Sequence, residues 1–148
     1  MNYLVAAPVL LVASTLTFGL AAAEEWNGVS SSARYAYLAD VASITTANDE
    51  TTINLARVPV QGAAGDLSHK VDAYVFRCAA GQARIVQETE FGADGAVADT
   101  FADPDAAWDD IPANSLVAYV KGIACDGQRS ADRTAASIKA FVDGGRGK

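Results

Sequence analysis

Residues 71 to 78 read Val71-Asp72-Ala73-Tyr74-Val75-Phe76-Arg77-Cys78, a run rich in β-branched and aromatic residues that ends in a cysteine. Between Arg34 and Phe101, alternating residues and regularly spaced turns are typical of a β meander. The stretch is therefore predicted to be a central strand that ends at Cys78.

Further strands are predicted on both sides of this one. Their bounds are a strand around Tyr35 to Ile44, a turn at Asn48-Asp49, a strand from Thr51 to Val60, a loop from Gly62 to Ser68, a strand from Arg84 to Phe91 and a last strand from Val97 to Phe101. Asp94-Gly95 predicts a hairpin before the last strand, because a tight turn needs positive φ. We expect Ile53, Leu55 and Val58 to be buried, and Pro59 to end its strand at an edge, since proline donates no ladder hydrogen bond.

The apolar period changes after Asp103-Pro104-Asp105. Apolar residues then recur three and four apart from Leu116 to Ile123, which predicts a helix capped by Asn114 or Ser115 and ending at Cys125-Asp126-Gly127. A second helix is predicted from Ser130 to Gly144, with Ala135, Ile138 and Val142 facing inward. The fold class is therefore α+β, an antiparallel meander of about five strands with one or two C-terminal helices against it.

Cys78 and Cys125 are the two cysteines of the chain. In an exported chain, an isolated pair without a second pair of metal ligands predicts one structural disulfide, which here clamps the first helix to the sheet. Two buried free thiols are the alternative interpretation. A redox pair would show Cys-x-x-Cys spacing, which is absent.

Export is predicted from the segment Tyr3 to Ala23, which is uncharged and mostly apolar. The small residues Ala21 and Ala23 before Glu24-Glu25 resemble a signal-peptidase site, although no Lys or Arg opens the segment. Its length also suits a retained membrane anchor or, less typically, a buried core helix. We divide the chain into a signal peptide or anchor (1–23), one α+β domain (24–143) and a flexible tail (144–148).

All 18 acidic and 11 basic residues follow Ala23, so the mature part carries the whole net charge of −7. This charge argues against nucleic acid and anionic membrane surfaces as partners, because both attract positive fields. The basic cluster Arg146-Gly147-Lys148 is small, and Gly144-Gly145 predicts that it is frayed.

Residue types that carry chemistry are sparse. His69 is the one histidine, and no Gly-x-Ser-x-Gly elbow accompanies it. A single histidine also argues against a zinc site, which takes three or four His, Cys or carboxylate ligands. The acidic segment Asp99 to Asp110, with Trp108 inside it, can offer calcium oxygens but lacks the EF-hand pattern, and a solvated turn-forming loop is the other interpretation. Glycoside hydrolysis needs two carboxylates at a defined distance in space, and sequence spacing does not report that distance.

Aromatic residues suggest a contact surface. Tyr35, Tyr37, Tyr74 and Tyr119 form a half-exposed face for a partner or a second copy if the first-strand tyrosines point outward. Trp108 is expected to cover the bottom of the sheet, and Trp26 lies close to the new N-terminus.

A set of short motifs is spaced along the chain from residue 37 to residue 125. They are Tyr37-Leu38-Ala39-Asp40, Ser43-Ile44, Val75-Phe76-Arg77-Cys78, Asp94-Gly95, Trp108-Asp109-Asp110-Ile111-Pro112-Ala113-Asn114-Ser115 and Ala124-Cys125. Together they resemble the surface-adhesin protein E-like family. The resemblance implies a small exported Gram-negative protein with an antiparallel sheet, a short helix and a disulfide joining them. The adhesin after which the family is named binds host matrix proteins and can dimerise, so the resemblance implies that such properties are possible within the family. Ala113-Asn114 replaces the family's Pro-Gly, and the helix after Cys125 is an extension.

We accordingly predict a non-enzymatic envelope protein, periplasmic or on the outer surface, that binds another protein through its sheet face or exposed edge. No catalytic residue, cofactor or metal ion is predicted, and a homodimer is compatible with the resemblance. The alternative is an accessory subunit of a membrane complex, anchored by an uncleaved N-terminal helix with its domain in the periplasm.

Overall fold

The computed structural model describes residues 23–147, so the predicted signal or anchor segment lies outside the described residues except for Ala23. The strands are β1 (Trp26–Ser31), β2 (Tyr35–Ala47), β3 (Glu50–Pro59), β4 (His69–Arg77), β5 (Gln82–Phe91), β6 (Val97–Ala102), β7 (Asp109–Asp110) and β8 (Thr134–Ala135), and the helices are α1 (Leu116–Asp126) and α2 (Ile138–Asp143).

All strands belong to one antiparallel sheet with the order β6-β5-β4-β3-β2-β1-β8, and β7 pairs with β5 next to β6. The predicted α+β meander with a helix fixed to it is confirmed. Eight strands occur where about five were predicted, since β1, β7 and β8 were not foreseen. Pro59 ends β3 beyond Arg57, the last β3 residue paired with β4, so the sheet requires no amide from it there.

Tight turns connect the long strands because their residues accept positive φ. Asn48 and Asp49 have φ of 51° and 63°, and Gly95 has φ of 79°. These values lie in the left-handed region that Asn, Asp and Gly tolerate best. The turn signals in the sequence therefore fix where β2, β3, β5 and β6 reverse.

Helix α1 covers one face of the sheet, which we call the α1 face. Ser115 is its N-cap and accepts a hydrogen bond from the Ala118 amide at 3.1 Å, while Gly127 ends it with φ of 68°. The buried helix residues Val120 and Ile123 pack against the inward side chains of the central strands, which are Ala39, Ile53, Leu55, Tyr74 and Phe76. The apolar residues that recur three and four apart in the sequence are therefore the face of α1 that packs on the sheet.

A disulfide joins Cys78, directly after β4, to Cys125 in the last turn of α1, with 5.8 Å between the Cα atoms. Both cysteines lie beside the α1 core cluster. The bond therefore fixes the end of the helix to the end of a central strand.

Helix α2 lies on the opposite face, the α2 face. Because neighbouring strand residues point to opposite faces, Leu38 and Ala56 bury against α2 where Ala39 and Leu55 bury against α1. Ile138 and Val142 pack there with Trp26 and Val58. The sheet thus has a core on each face.

Two C-terminal expectations are corrected. The second helix begins after the N-cap Ser137 instead of near Ser130, because residues 134 and 135 pair with Asn27 and Trp26 as β8. Arg146 is not part of a frayed tail, since it is only 7% exposed and donates hydrogen bonds to the carbonyl oxygens of Pro59 and Asp66.

Candidate protein-binding surfaces

Strand β6 forms one end of the sheet, and all six of its residues are exposed. Phe101 is 54% exposed and lies opposite Glu88, on the α1 face. Val97 is 61% exposed and lies opposite Phe91, on the other face. The strand therefore presents large apolar side chains on both sides.

The outer edge of β6 is partly protected by the side chain of one of its own residues, Asp99. Asp103 donates its amide to Val86 of β5 at 2.8 Å, so alternation along the ladder turns the amides of Thr100 and Ala102 away from β5. The carboxylate of Asp99 accepts the Thr100 amide at 2.8 Å. A carboxylate in this position limits indiscriminate strand pairing, which is a general hazard of sheet edges.

Next to Phe101, a charged cluster crosses the α1 face beyond the helix. Its members are Arg57, Lys70, Asp72, Glu88 and Glu90. Arg57 Nε lies 3.3 Å from Asp72 Oδ2, and the same guanidinium pairs with Glu88. Lys70 Nζ lies 3.0 Å from Glu88 Oε1 and also pairs with Glu90.

The environment of each carboxyl group sets its acidity in this cluster. Burial raises the pKa of Asp72, although Arg57 opposes the shift. The hydrogen bond from Lys70 lowers the pKa of Glu88, which is much more exposed. Asp72 therefore depends on Arg57 for its charge, whereas Glu88 is stabilised as an anion at the surface.

His69 lies in a cleft on the α2 face, stacked on Phe91 with 4.3 Å between ring centroids. Its Nδ1 lies 2.6 Å from the Leu67 carbonyl oxygen, and burial lowers its pKa. Glu24 and Asp40 also line this cleft, but Asp40 accepts the amides of Glu25 and Ala42 at 3.0 and 3.1 Å. The ring is thus stacked and hydrogen-bonded. The one hydroxyl of the cleft lining, Ser137, caps α2 by accepting the Ala140 amide at 3.0 Å.

The acidic segment is distributed along the sheet edge. Asp99 lies in β6, whereas Asp109 and Asp110 form β7 beside Ala83 and Gln82. Within residues 23–147, no three His, Cys, Asp or Glu side chains converge in an arrangement that could hold a metal ion.

Trp108 contacts two arginines instead of the main core. The Arg77 and Arg84 guanidinium carbons lie 4.0 and 4.4 Å from the centre of its ring, within the range of cation–π contacts. Glu50 pairs with both arginines at 3.2 and 3.7 Å. Trp108 thus fixes the loop before α1 to β4 and β5, which the sequence could not specify.

The four predicted surface tyrosines do not form one face. Tyr74 is buried against Phe76, and burial raises its pKa to about 12. Tyr35 and Tyr37 contact each other with 6.5 Å between ring centroids, while Tyr119 is exposed on α1. The exposed β6 side chains, which sequence reasoning did not single out, are the larger apolar feature. Their signal was the apolar pair Val97 and Phe101 in a strand bordered by Asp94-Gly95 and Asp103-Pro104.

Fold and disulfide together define a class of small sheet proteins in which a C-terminal helix is fixed to a central strand by one disulfide. The surface-adhesin protein E family model matches residues 26–126, and the chain belongs to this family. Membership implies an exported, adhesin-like protein. Comparison with curated proteins and with solved structures gives no significant match. Neither helix in the described part has the length and apolar character of a membrane span.

Proposed function

We propose that this chain is a non-enzymatic module of the cell envelope that binds a protein partner through strand β6. The exposure of Phe101 and Val97 on a strand at the end of the sheet carries this proposal. Exposed aromatic and aliphatic side chains supply binding free energy when a partner covers them. The family membership supports an adhesin-like role for that contact.

Side chains rather than backbone groups are expected to dominate binding at β6. Asp99 already occupies the Thr100 amide, which leaves fewer backbone donors for an added strand. Phe101 lies directly beside Glu88, and Glu88 pairs with Lys70 and Arg57. The proposed contact therefore has an apolar centre and a charged border, as in many protein interfaces.

Photo-crosslinking in living Gram-negative cells tests this contact. A photoreactive phenylalanine analogue replaces Phe101 or, as a matched control, the exposed Tyr119 of α1. We expect a discrete protein adduct from position 101 that is lost in the Val97→Asp background, and none from position 119. Equal adducts at both positions, or none at 101, would contradict the proposal.

We further propose that the segment 1–23 is a cleaved signal peptide and that the mature chain resides in the periplasm or on the outer surface. The support is the small-residue pattern Ala21-Ala22-Ala23 before Glu24. Mass spectrometry of the chain from a native envelope preparation measures the first residue. A start at Glu24 is expected, whereas a start at residue 1 or 2 would favour the anchored accessory subunit.

A further inference from the structure

A groove lies at the opposite end of the sheet from β6, and the C-terminal segment 132–147 forms one of its walls. Its volume is about 770 Å³, within the range of pockets that hold ligands. The lining is mostly small or apolar, with Ala36, Leu38 and Val60 on one side and Ala136, Ala140 and Phe141 on the other. Residues 132–147 lie outside the family match at 26–126.

An incomplete strand edge runs along the groove. β8 pairs only with Trp26 and Asn27, and Gly28 then donates its amide to the Arg133 carbonyl oxygen at 2.7 Å. A Cβ atom on Gly28 would lie 2.8 Å from Arg133 Cβ, so glycine permits this close approach. β1 continues to Ser31 without an outer strand among the described residues, and Ser30 and Ser31 line the groove.

Positive charge is concentrated in the same place. Arg133 and Arg146 both line the groove, and no carboxylate of residues 23–147 lies within salt-bridge distance of either. The hydrogen bonds of the buried Arg146 go to backbone carbonyl oxygens. Arg133 is exposed and donates its Nε–H to Ser130 Oγ. Asp132, the one acidic residue of the lining, accepts the Ser130 hydroxyl.

We propose that this groove binds an extended, carboxylate-bearing segment of a partner protein, which adds a strand outside Ser30 and Ser31 and pairs with Arg133. Strand addition satisfies the open backbone groups, and the small lining residues admit a peptide backbone. Arginine is well suited to a carboxylate because its planar guanidinium offers two parallel donors. The groove is separate from β6, so a negative result for this proposal would leave the function proposed above unaffected, and the reverse also holds.

A phage-displayed library of random dodecapeptides, selected on the immobilised full-length chain, tests the proposal. Enriched peptides should carry Asp or Glu among small and apolar residues, and their binding should weaken about tenfold or more in Arg133→Gln. Lys139→Gln, which removes an exposed charge from α2 outside the groove, is the matched control and should bind normally. Basic peptides, no enrichment or equal binding to Arg133→Gln would overturn the proposal.

Amide hydrogen exchange on the isotope-labelled chain then locates the peptide. Ser32 donates its amide to Tyr35 of β2 at 2.8 Å, so alternation along the strand turns the Ser31 amide outward. New protection at Ser31 is therefore expected, and the groove-filling variant Ala140→Leu should abolish it while the protein stays folded. Protection at β6 instead would place the peptide elsewhere and overturn the proposal. Protection of Ser31 that rises with protein concentration in the absence of peptide would identify a second copy as the occupant, which also overturns it.

Discussion

Phe76 and Phe101 are the same residue type on the same face of one sheet, yet Phe76 is 0% exposed and Phe101 is 54% exposed. Phe76 lies beneath α1, whereas Phe101 lies on the uncovered end strand. One residue therefore stabilises the fold, and the other is available for contacts outside it.

This pair gives a direct comparison of stability effects. Phe76→Ala should lower the free energy of unfolding by about 3–5 kcal/mol, because it leaves a cavity in the core. Phe101→Ala should change it by less than about 0.5 kcal/mol. Urea titration of the two variants measures both values, and similar losses would contradict the assigned burial.

The disulfide should provide much of the stability. Joining residues 47 apart is expected to contribute about 4 kcal/mol through the entropy of the unfolded chain. Cys78→Ser should therefore lower Tm by about 10–20 °C in calorimetry under oxidising conditions. A reductant should bring the wild-type protein down to the Tm of the variant and leave the variant unchanged, and an unaffected wild type would show that the bond contributes little.

The ion pair of Arg57 should be more important than the surface pairs. Asp72 is 5% exposed, so Arg57→Met leaves a buried carboxyl without its cation and should cost about 1–3 kcal/mol. Lys139→Met breaks an exposed pair with Asp143 and should cost about 0–0.5 kcal/mol. The double variant Arg57→Met/Asp72→Leu should regain most of the lost free energy of unfolding, because it has no buried carboxyl group at this position. Chemical denaturation measures this. A double variant less stable than Arg57→Met alone would refute this explanation.

His69 predicts a pH dependence of stability. Burial lowers the pKa of His69 in the folded state, whereas in the unfolded chain it keeps the ordinary histidine pKa of about 6.5. Below about pH 6.5 the unfolded chain therefore binds this proton more readily than the folded protein does. The contribution to stability is complete above that pH and is lost as the pH falls through the lower pKa of the folded state. Unfolding free energies measured as the pH is lowered from 8 through about 6.5 and below should decline less in His69→Gln than in the wild type. Parallel curves would exclude His69 as the cause.

Sequence patterns predicted β2 to β6 and α1 because alternation, turn residues and helical periodicity all agreed there. β1 escaped notice because Asn27, Gly28 and the serines have low strand propensity, and its conformation depends on pairing with β2. The start of α2 was wrong for a related reason, since Thr134 and Ala135 extend to pair with β1. The contacts of Arg57, Trp108 and Arg146 depend on strand register and loop paths, which local patterns do not encode.

The pairing of Trp26 with Ala135 joins the first strand to the last. When the chain is exported starting from its N-terminus, β1 leaves the export channel before β8. The Arg133 carbonyl that accepts the Gly28 amide follows only near the end of export. The outer edge of β1 is therefore bare throughout export and can pair with other chains. Truncation before Arg133 would make that transient state permanent, so the segment that begins at Arg133 also protects the protein against aggregation.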